Sequence, residues 1–131
     1  LQFEKIRASS RTTNLFGILK RNTGIGPEAW ARLSLCLSLR QKGMPNPDEY
    51  NTEGSEFAPD RLFPANQNLY LALVINRLKQ DRLDPETYLN EMVRAHLNRG
   101  AISLKQRIDG LFDVYKFMAE MKVGRFRLED G

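Results

Sequence analysis

KRNTGIGPEAWARLSLCLSLRQK, residues 20–42, decides how the rest of the chain is read. It joins a basic, glycine-broken turn to a segment that is apolar on nearly every side. Gly24 and Gly26 bracket Ile25, and Pro27 follows. Proline suits the first position of a helix, because its missing N–H would go unpaired there and its φ is already helical. The stretch predicts a helix from Pro27 to about Gln41, with Gly43 past its end as a left-handed cap. Trp30, Leu33 and Leu37 fall at i, i+3 and i+7 and form one apolar stripe, while Leu35, Cys36 and Leu39 carry apolar surface to other sides. Such a helix is buried in a core or between subunits. One fold of 131 residues can hardly enclose it completely, so a homo-oligomer interface is expected as well.

Toward the N-terminus, residues 2–8 (QFEKIRA) read as one short strand, with Phe3 and Ile6 between polar residues. Ser9 or Ser10 can cap the next helix, since a serine oxygen accepts from the free N–H groups of a first turn. That helix runs to about Asn22, with Leu15, Phe16, Ile18 and Leu19 as its apolar face and Lys20 and Arg21 favouring its C-terminal end. Strand, helix, glycine turn, helix is the order of the ribbon-helix-helix unit. In that unit two chains pair their single strands, because a lone strand leaves its backbone groups unpaired.

Toward the C-terminus, residues 44–64 form a long loop with four prolines and five acidic side chains. Loops of this length are functional or packed by their own side chains. Tyr50, Phe57, Leu62 and Phe63 are the candidates for that packing. A third helix is expected over about Ala65–Asp81, with Leu69, Leu73 and residues 75–78 as its apolar side. Asp84, Pro85 and Glu86 make a strong start for a fourth, which should stop at Gly100. Ser103 can cap a fifth, reaching about Met121, with Leu104, Ile108, Leu111, Phe112, Tyr115 and Met118 inward. The fold class is therefore mainly α, about five helices preceded by a short N-terminal strand. Residues 1–121 form a single helical domain and residues 122–131 a flexible tail.

The totals narrow the function. A 41% apolar and 27% charged composition is that of an ordinary soluble domain. No apolar run approaches the roughly 20 residues that span a bilayer, and no signal-peptide pattern is present. Cys36 is the single cysteine, so it has no disulfide or CxxC partner and reads as an inert thiol among leucines. Together these point to the cytoplasm. The net charge of +4 is unevenly spread: +6 over residues 1–42, −5 over 43–93 and +3 over 94–131. A basic N-terminal third fits an anionic partner, and equally a solvated basic surface.

The Thr23–Pro27 turn is the best candidate for a phosphate site. The N–H groups of Glu28, Ala29 and Trp30 lack helical acceptors and carry the positive end of the helix dipole. Gly24 and Gly26 let a phosphate approach, and Lys20, Arg21 and Thr23 add charge and hydrogen bonds. An ordinary helix–helix turn would use the same glycines, and Glu28 opposes an anion. His96, the single histidine, reads as a hydrogen-bonded structural residue, since no metal spacing surrounds it. Asp48, Glu49, Glu53, Glu56 and Asp60 read as a solvated acidic loop, or as oxygen ligands for a divalent metal. Nothing near Tyr50, Tyr70, Tyr88 or Tyr115 activates a tyrosine nucleophile.

Three segments, in this order and spacing, resemble the DndE family of the bacterial DNA phosphorothioation system: RNTGIGPEAWARLSLCLSL (21–39), PNPDEYNTEGSEF (45–57) and RAHLNRG (94–100). The likeness runs from about Lys5 to Tyr115. It implies a homo-oligomeric helical protein that binds double-stranded DNA, with a liking for nicked DNA. It also implies work beside a cysteine desulfurase, an iron–sulfur protein and an ATPase. No cofactor is expected of the chain itself, because one cysteine cannot hold a cluster. With the resemblance, the expected DNA contacts are Lys20, Arg21, Thr23, Gly24 and Gly26 at the turn and Lys5 and Arg7 on the strand. Arg94, Arg99 and Lys105 rank second. The expected function is a DNA-binding subunit that grips backbone phosphates. A nicking endonuclease, with Mg²⁺ held by the acidic loop, and a non-catalytic assembly adaptor are the alternatives.

Overall fold

The computed structural model describes residues 1–130. The side chains of Val114, Tyr115, Phe117 and residues 121–130 lie outside the described residues, and with them the inward place expected for Tyr115 and the expected tail. Helix α1, Ser10–Thr23, starts because the Oγ of Ser9 accepts the N–H of Thr12 at 3.1 Å. It ends because Gly24 takes φ 76° and returns its N–H to the carbonyl of Lys20 at 2.8 Å. Helix α2, Pro27–Leu39, follows Gly26, which caps it without a side chain. Gly43 takes the expected left-handed φ, 81°, but it is not the cap: α2 ends at Leu39, short of Gln41, and Arg40 caps it in the right-handed region.

The face of α2 that enters the core is not the Trp30 stripe. Ala31, Ser34, Leu35 and Ser38 are buried, whereas Trp30 and Leu37 are half-buried and Leu33 is exposed. Three of those four inner residues are small, and the reason lies across the interface. Helix α5, Pro85–Asp130, passes α2 with Gly100 at the crossing. A Cβ on Gly100 would stand 1.6 Å from the carbonyl oxygen of Ser34. Gly100 therefore does not stop a helix. It lets two backbones touch in mid-helix, and the fourth and fifth helices expected from the sequence are one.

The helix count is still five, because Pro59–Leu62 forms a short helix α3 inside the long loop, before α4 at Gln67–Gln80. Val74 and Leu78 are the buried residues of α4 that face the core, while Leu69 and Leu73 are exposed, contrary to the expected apolar side. Phe57, Leu62 and Phe63 of the loop are buried as expected, with Phe63 stacked on Tyr70 at 4.6 Å and tilted against Phe3 at 5.0 Å.

The N-terminal strand is shorter than expected. Strand β1, Ile6–Arg7, pairs antiparallel with β2, Glu56–Phe57, setting Ile6 opposite Phe57 and Arg7 opposite Glu56. The partner is thus a segment of the same chain, where a ribbon would use a second copy. The ladder continues as Ala8 donates to Ser55 at 2.9 Å and Gly54 donates to Ala8 at 3.0 Å. A Cβ on Gly54 would lie 2.4 Å from the carbonyl oxygen of Ser9, so glycine is required for this approach. Along α5, Leu104 is buried and Ile108 half-buried, but Leu111, Phe112 and Met118 are exposed rather than inward. The helix continues past the body at that point.

Candidate nucleic-acid interface

The turn between α1 and α2 is built by short local bonds. Thr23 Oγ1 donates to the carbonyl of Leu19 at 2.6 Å and accepts the N–H of Ile25 at 3.1 Å. Trp30 Nε1 donates to the carbonyl of Ile25 at 3.2 Å, which ties the turn to the helix after it. Gly26 leaves the first turn of α2 without a side-chain cap, so its N–H groups face outward at the positive end of the helix. The Glu28 carboxylate lies beside this turn, 3.3 Å from where a Gly26 Cβ would stand, so the chain itself sets one negative charge near the helix start.

Lys20 and Arg21 stand exposed at the edge of this turn. Among the described residues neither side chain has a hydrogen bond or ion pair, so their charge is available to a ligand. Lys5 is exposed in the same way. Arg7 is not: it donates to the carbonyl of Gly54 at 3.1 Å and pairs with Glu56 at 3.4 Å across the strands. Lys105 pairs with Asp109 at 2.7 Å. Lys20, Arg21, Thr23, Gly24 and Gly26 share one turn, whereas Arg7 and Lys105 among the other expected contacts are already engaged by partners of the chain itself.

Arg94 and Arg99 fasten the fold. Arg94 donates to the carbonyls of Pro47 at 2.7 Å and Asn51 at 3.3 Å, holding the acidic loop. Arg99 reaches Ser38 Oγ, the Ser38 carbonyl and the Gly43 carbonyl, each at 2.8 Å. Arg77 joins it with bonds to the carbonyls of Leu39 at 2.9 Å, Gln41 at 2.6 Å and Gly43. Two guanidiniums thereby close the C-terminal end of α2, where unpaired carbonyls concentrate negative charge. Burial and the neighbouring Arg77 hold Arg99 below the ordinary arginine range.

The whole 94–100 segment works this way. His96 is fully buried, with Nδ1 2.8 Å from Ser38 Oγ and Nε2 unpartnered among the described residues. Burial, then Arg99 and Arg77, push it down to about 4. Asn98, which the sequence reading passed over, accepts the N–H of Ser9 at 2.9 Å and so holds the start of α1. Its own amide donates to the carbonyl of Arg94 at 2.9 Å.

Arg11 is a second residue that the sequence reading left out of the candidate contacts. It is exposed in the first turn of α1, where the helix dipole disfavours a cation, and that mismatch was the available signal. With Lys105 it borders a groove of about 370 Å³ floored by Leu15, Ile18, Ala101 and Ile102. The carboxylates of the acidic loop do not converge: among the described residues no three of His, Cys, Asp and Glu could hold one metal ion. Cys36 is half-buried, and burial pushes its thiol up. No helix among the described residues is long and apolar enough to cross a membrane.

A family model described as DNA sulphur modification protein DndE matches residues 5–110. Among solved structures, the crystal structure of DndE from Escherichia coli B7A, involved in DNA phosphorothioation modification, is similar to this chain. Its TM-score is 0.62 at 20% identity, over 79% of this chain and 98% of that one. A glycine-to-lysine mutant of DndE, involved in DNA phosphorothioation, aligns with a TM-score of 0.61 at 18% identity, over 79% of this chain and 99% of that one. At these identities the likeness shows a shared fold. No curated protein matches the chain.

Proposed function

The chain belongs to the DndE family of DNA sulphur modification proteins, and from that premise we propose that it is a DNA-binding subunit of the phosphorothioation machinery. The observation that carries the reading is the α1–α2 turn. Exposed Lys20 and Arg21 stand beside a helix start with no side-chain cap, so charge and dipole favour an anion at one place. Backbone phosphates are the ligand assigned to this turn, since exposed cations beside an uncapped helix start favour an anion whatever the base sequence. The preference for nicked duplex, and the desulfurase, iron–sulfur and ATPase partners, follow from the family resemblance.

Fluorescence anisotropy on nicked and intact duplexes over a salt series tests the reading. Each Lys or Arg that neutralises a phosphate lowers log affinity by about 0.9 per tenfold salt. Lys20→Glu with Arg21→Glu should weaken binding to every duplex alike and flatten that slope by about two contacts per engaged subunit. Lys79→Glu with Arg82→Glu, exposed at the far end of α4, should change little. Normal binding and slope in the turn variant would displace the site. Loss confined to one DNA sequence would mean base readout, and EDTA-sensitive relaxation of supercoiled plasmid would mean an enzyme.

A further inference from the structure

Helix α1 turns cations to solvent and carries no carboxylate. Its 14 residues, SRTTNLFGILKRNT, hold Arg11, Lys20 and Arg21 and not one acidic side chain. Arg11, Asn14, Ile18 and Arg21 are exposed and follow one another at steps of three, four and three, which is one stripe of a helix. A cation in the first turn meets the positive end of the helix dipole. Arg11 holds that place without compensation: among the described residues its side chain has no hydrogen bond or ion pair. Glu49 lines a hollow beside it and does not pair with it.

The two ends of the stripe are spaced for a charged polymer. Arg11 and Arg21 stand about 15 Å apart along the axis, at about 1.5 Å per residue. Along one strand of a duplex the phosphates advance about 3.4 Å per step, so one backbone can lie on both cations, about four steps apart. Between them Gly17 is exposed, and a Cβ built on it would meet nothing within 4 Å. Packing inside the chain therefore does not ask for glycine there, although glycine in mid-helix lowers helix stability. What it leaves is a low point in the face, where the backbone of a ligand can come close.

We infer that α1 continues the phosphate site of the α1–α2 turn, so that a duplex lies along the helix, with Arg21 and the turn at one end and Arg11 at the other. The inference rests on the DNA-binding reading above and adds to it an axis and a residue. Charge complementarity selects the occupant. A helix face of separated cations and neutral side chains matches a polymer that repeats its negative charge. A single small anion would need converging donors, and Arg11 and Arg21 are too far apart to share one. Lys105, across the groove from Arg11, is held by Asp109 and adds no contact here.

Two measurements on the full chain test this. Each phosphate contact makes the affinity for a duplex of about 20 base pairs fall about 3.5-fold further between about 50 and 200 mM salt. Arg11→Gln should lessen that fall by about 3.5-fold per engaged subunit. It should leave thermal melting unchanged, since the side chain is exposed and unpaired. Placement is read by cross-linking in a Cys36→Ser background. An azidophenacyl group on Asn14→Cys, within the stripe, should join the duplex on illumination several-fold more than the same group on Lys79→Cys of α4. An unchanged salt dependence in Arg11→Gln, or cross-linking from position 14 no greater than from position 79, would overturn the placement along α1. Loss of binding in the Lys20→Glu, Arg21→Glu chain would then still leave the turn as the site. Failure of the unaltered protein to bind any duplex would instead overturn the DNA-binding reading, and this one with it.

Discussion

His96 makes the stability of this protein depend on pH through one side chain. It is fully buried, its Nε2 has no partner among the described residues, and two guanidiniums lie nearby. Burial and those charges lower its pKa from 6.5 to about 4. The unfolded chain therefore binds a proton at a pH where the folded chain refuses it. The stability contributed by the neutral ring is complete above the unfolded value and is lost as pH falls from 6.5 toward 4. At about 1.4 kcal/mol per pH unit, the full loss is about 3 kcal/mol, and about 2 kcal/mol of it falls between pH 7 and pH 5. His96 is the single histidine of the sequence, so in that window no other side chain with an ordinary pKa changes charge. Urea unfolding at fixed protein concentration, followed by the fluorescence of the single Trp30, measures the slope. His96→Asn keeps an acceptor where Nδ1 meets Ser38 and removes the titration. It should start less stable at pH 7 and stay flat down to pH 5. A wild-type protein equally stable at both values, or a variant with the wild-type slope, would refute the argument from burial.

Two glycines of α5 should answer alanine with opposite signs. Gly100→Ala drives a methyl into the Ser34 backbone and should cost roughly 1–3 kcal/mol or more in a thermal melt. Gly110→Ala meets nothing within 4 Å and should gain roughly 0.5–1 kcal/mol of helix propensity. Arg99→Ala should cost roughly 2–4 kcal/mol, because it strips donors from the buried end of α2. Arg99→Lys should recover only part of that, since an ammonium cannot reproduce the fork. If Arg99→Ala instead left the melt unchanged and weakened DNA binding alone, Arg99 would be a contact residue and not a fastening one.

Local chemistry made much of this fold legible from sequence. Ser9, Gly24, Pro27 and Pro85 act within one turn of themselves, and each helix boundary they mark stands within a residue or two of its expected place. The basic turn was readable for the same reason: Lys20, Arg21, Thr23, Gly24 and Gly26 are neighbours in sequence as well as in space. What failed were readings that needed a partner from far along the chain. Gly100 looks like a helix stop until Ser34, 66 residues earlier, is seen lying on it. From sequence Arg94 and Arg99 could be second-rank DNA contacts or cations on helix-end carbonyls, and only the tertiary structure shows which carbonyls they reach, those of Pro47, Asn51, Ser38 and Gly43. The strand looked destined for a second chain until residues 54–57 of the loop supplied its ladder. An apolar seam shows in sequence as a period alone, and the period of α5 does not change where the body ends. Only the tertiary structure decided that Leu104 is covered while Leu111 faces solvent, because burial depends on which surfaces the rest of the chain can reach.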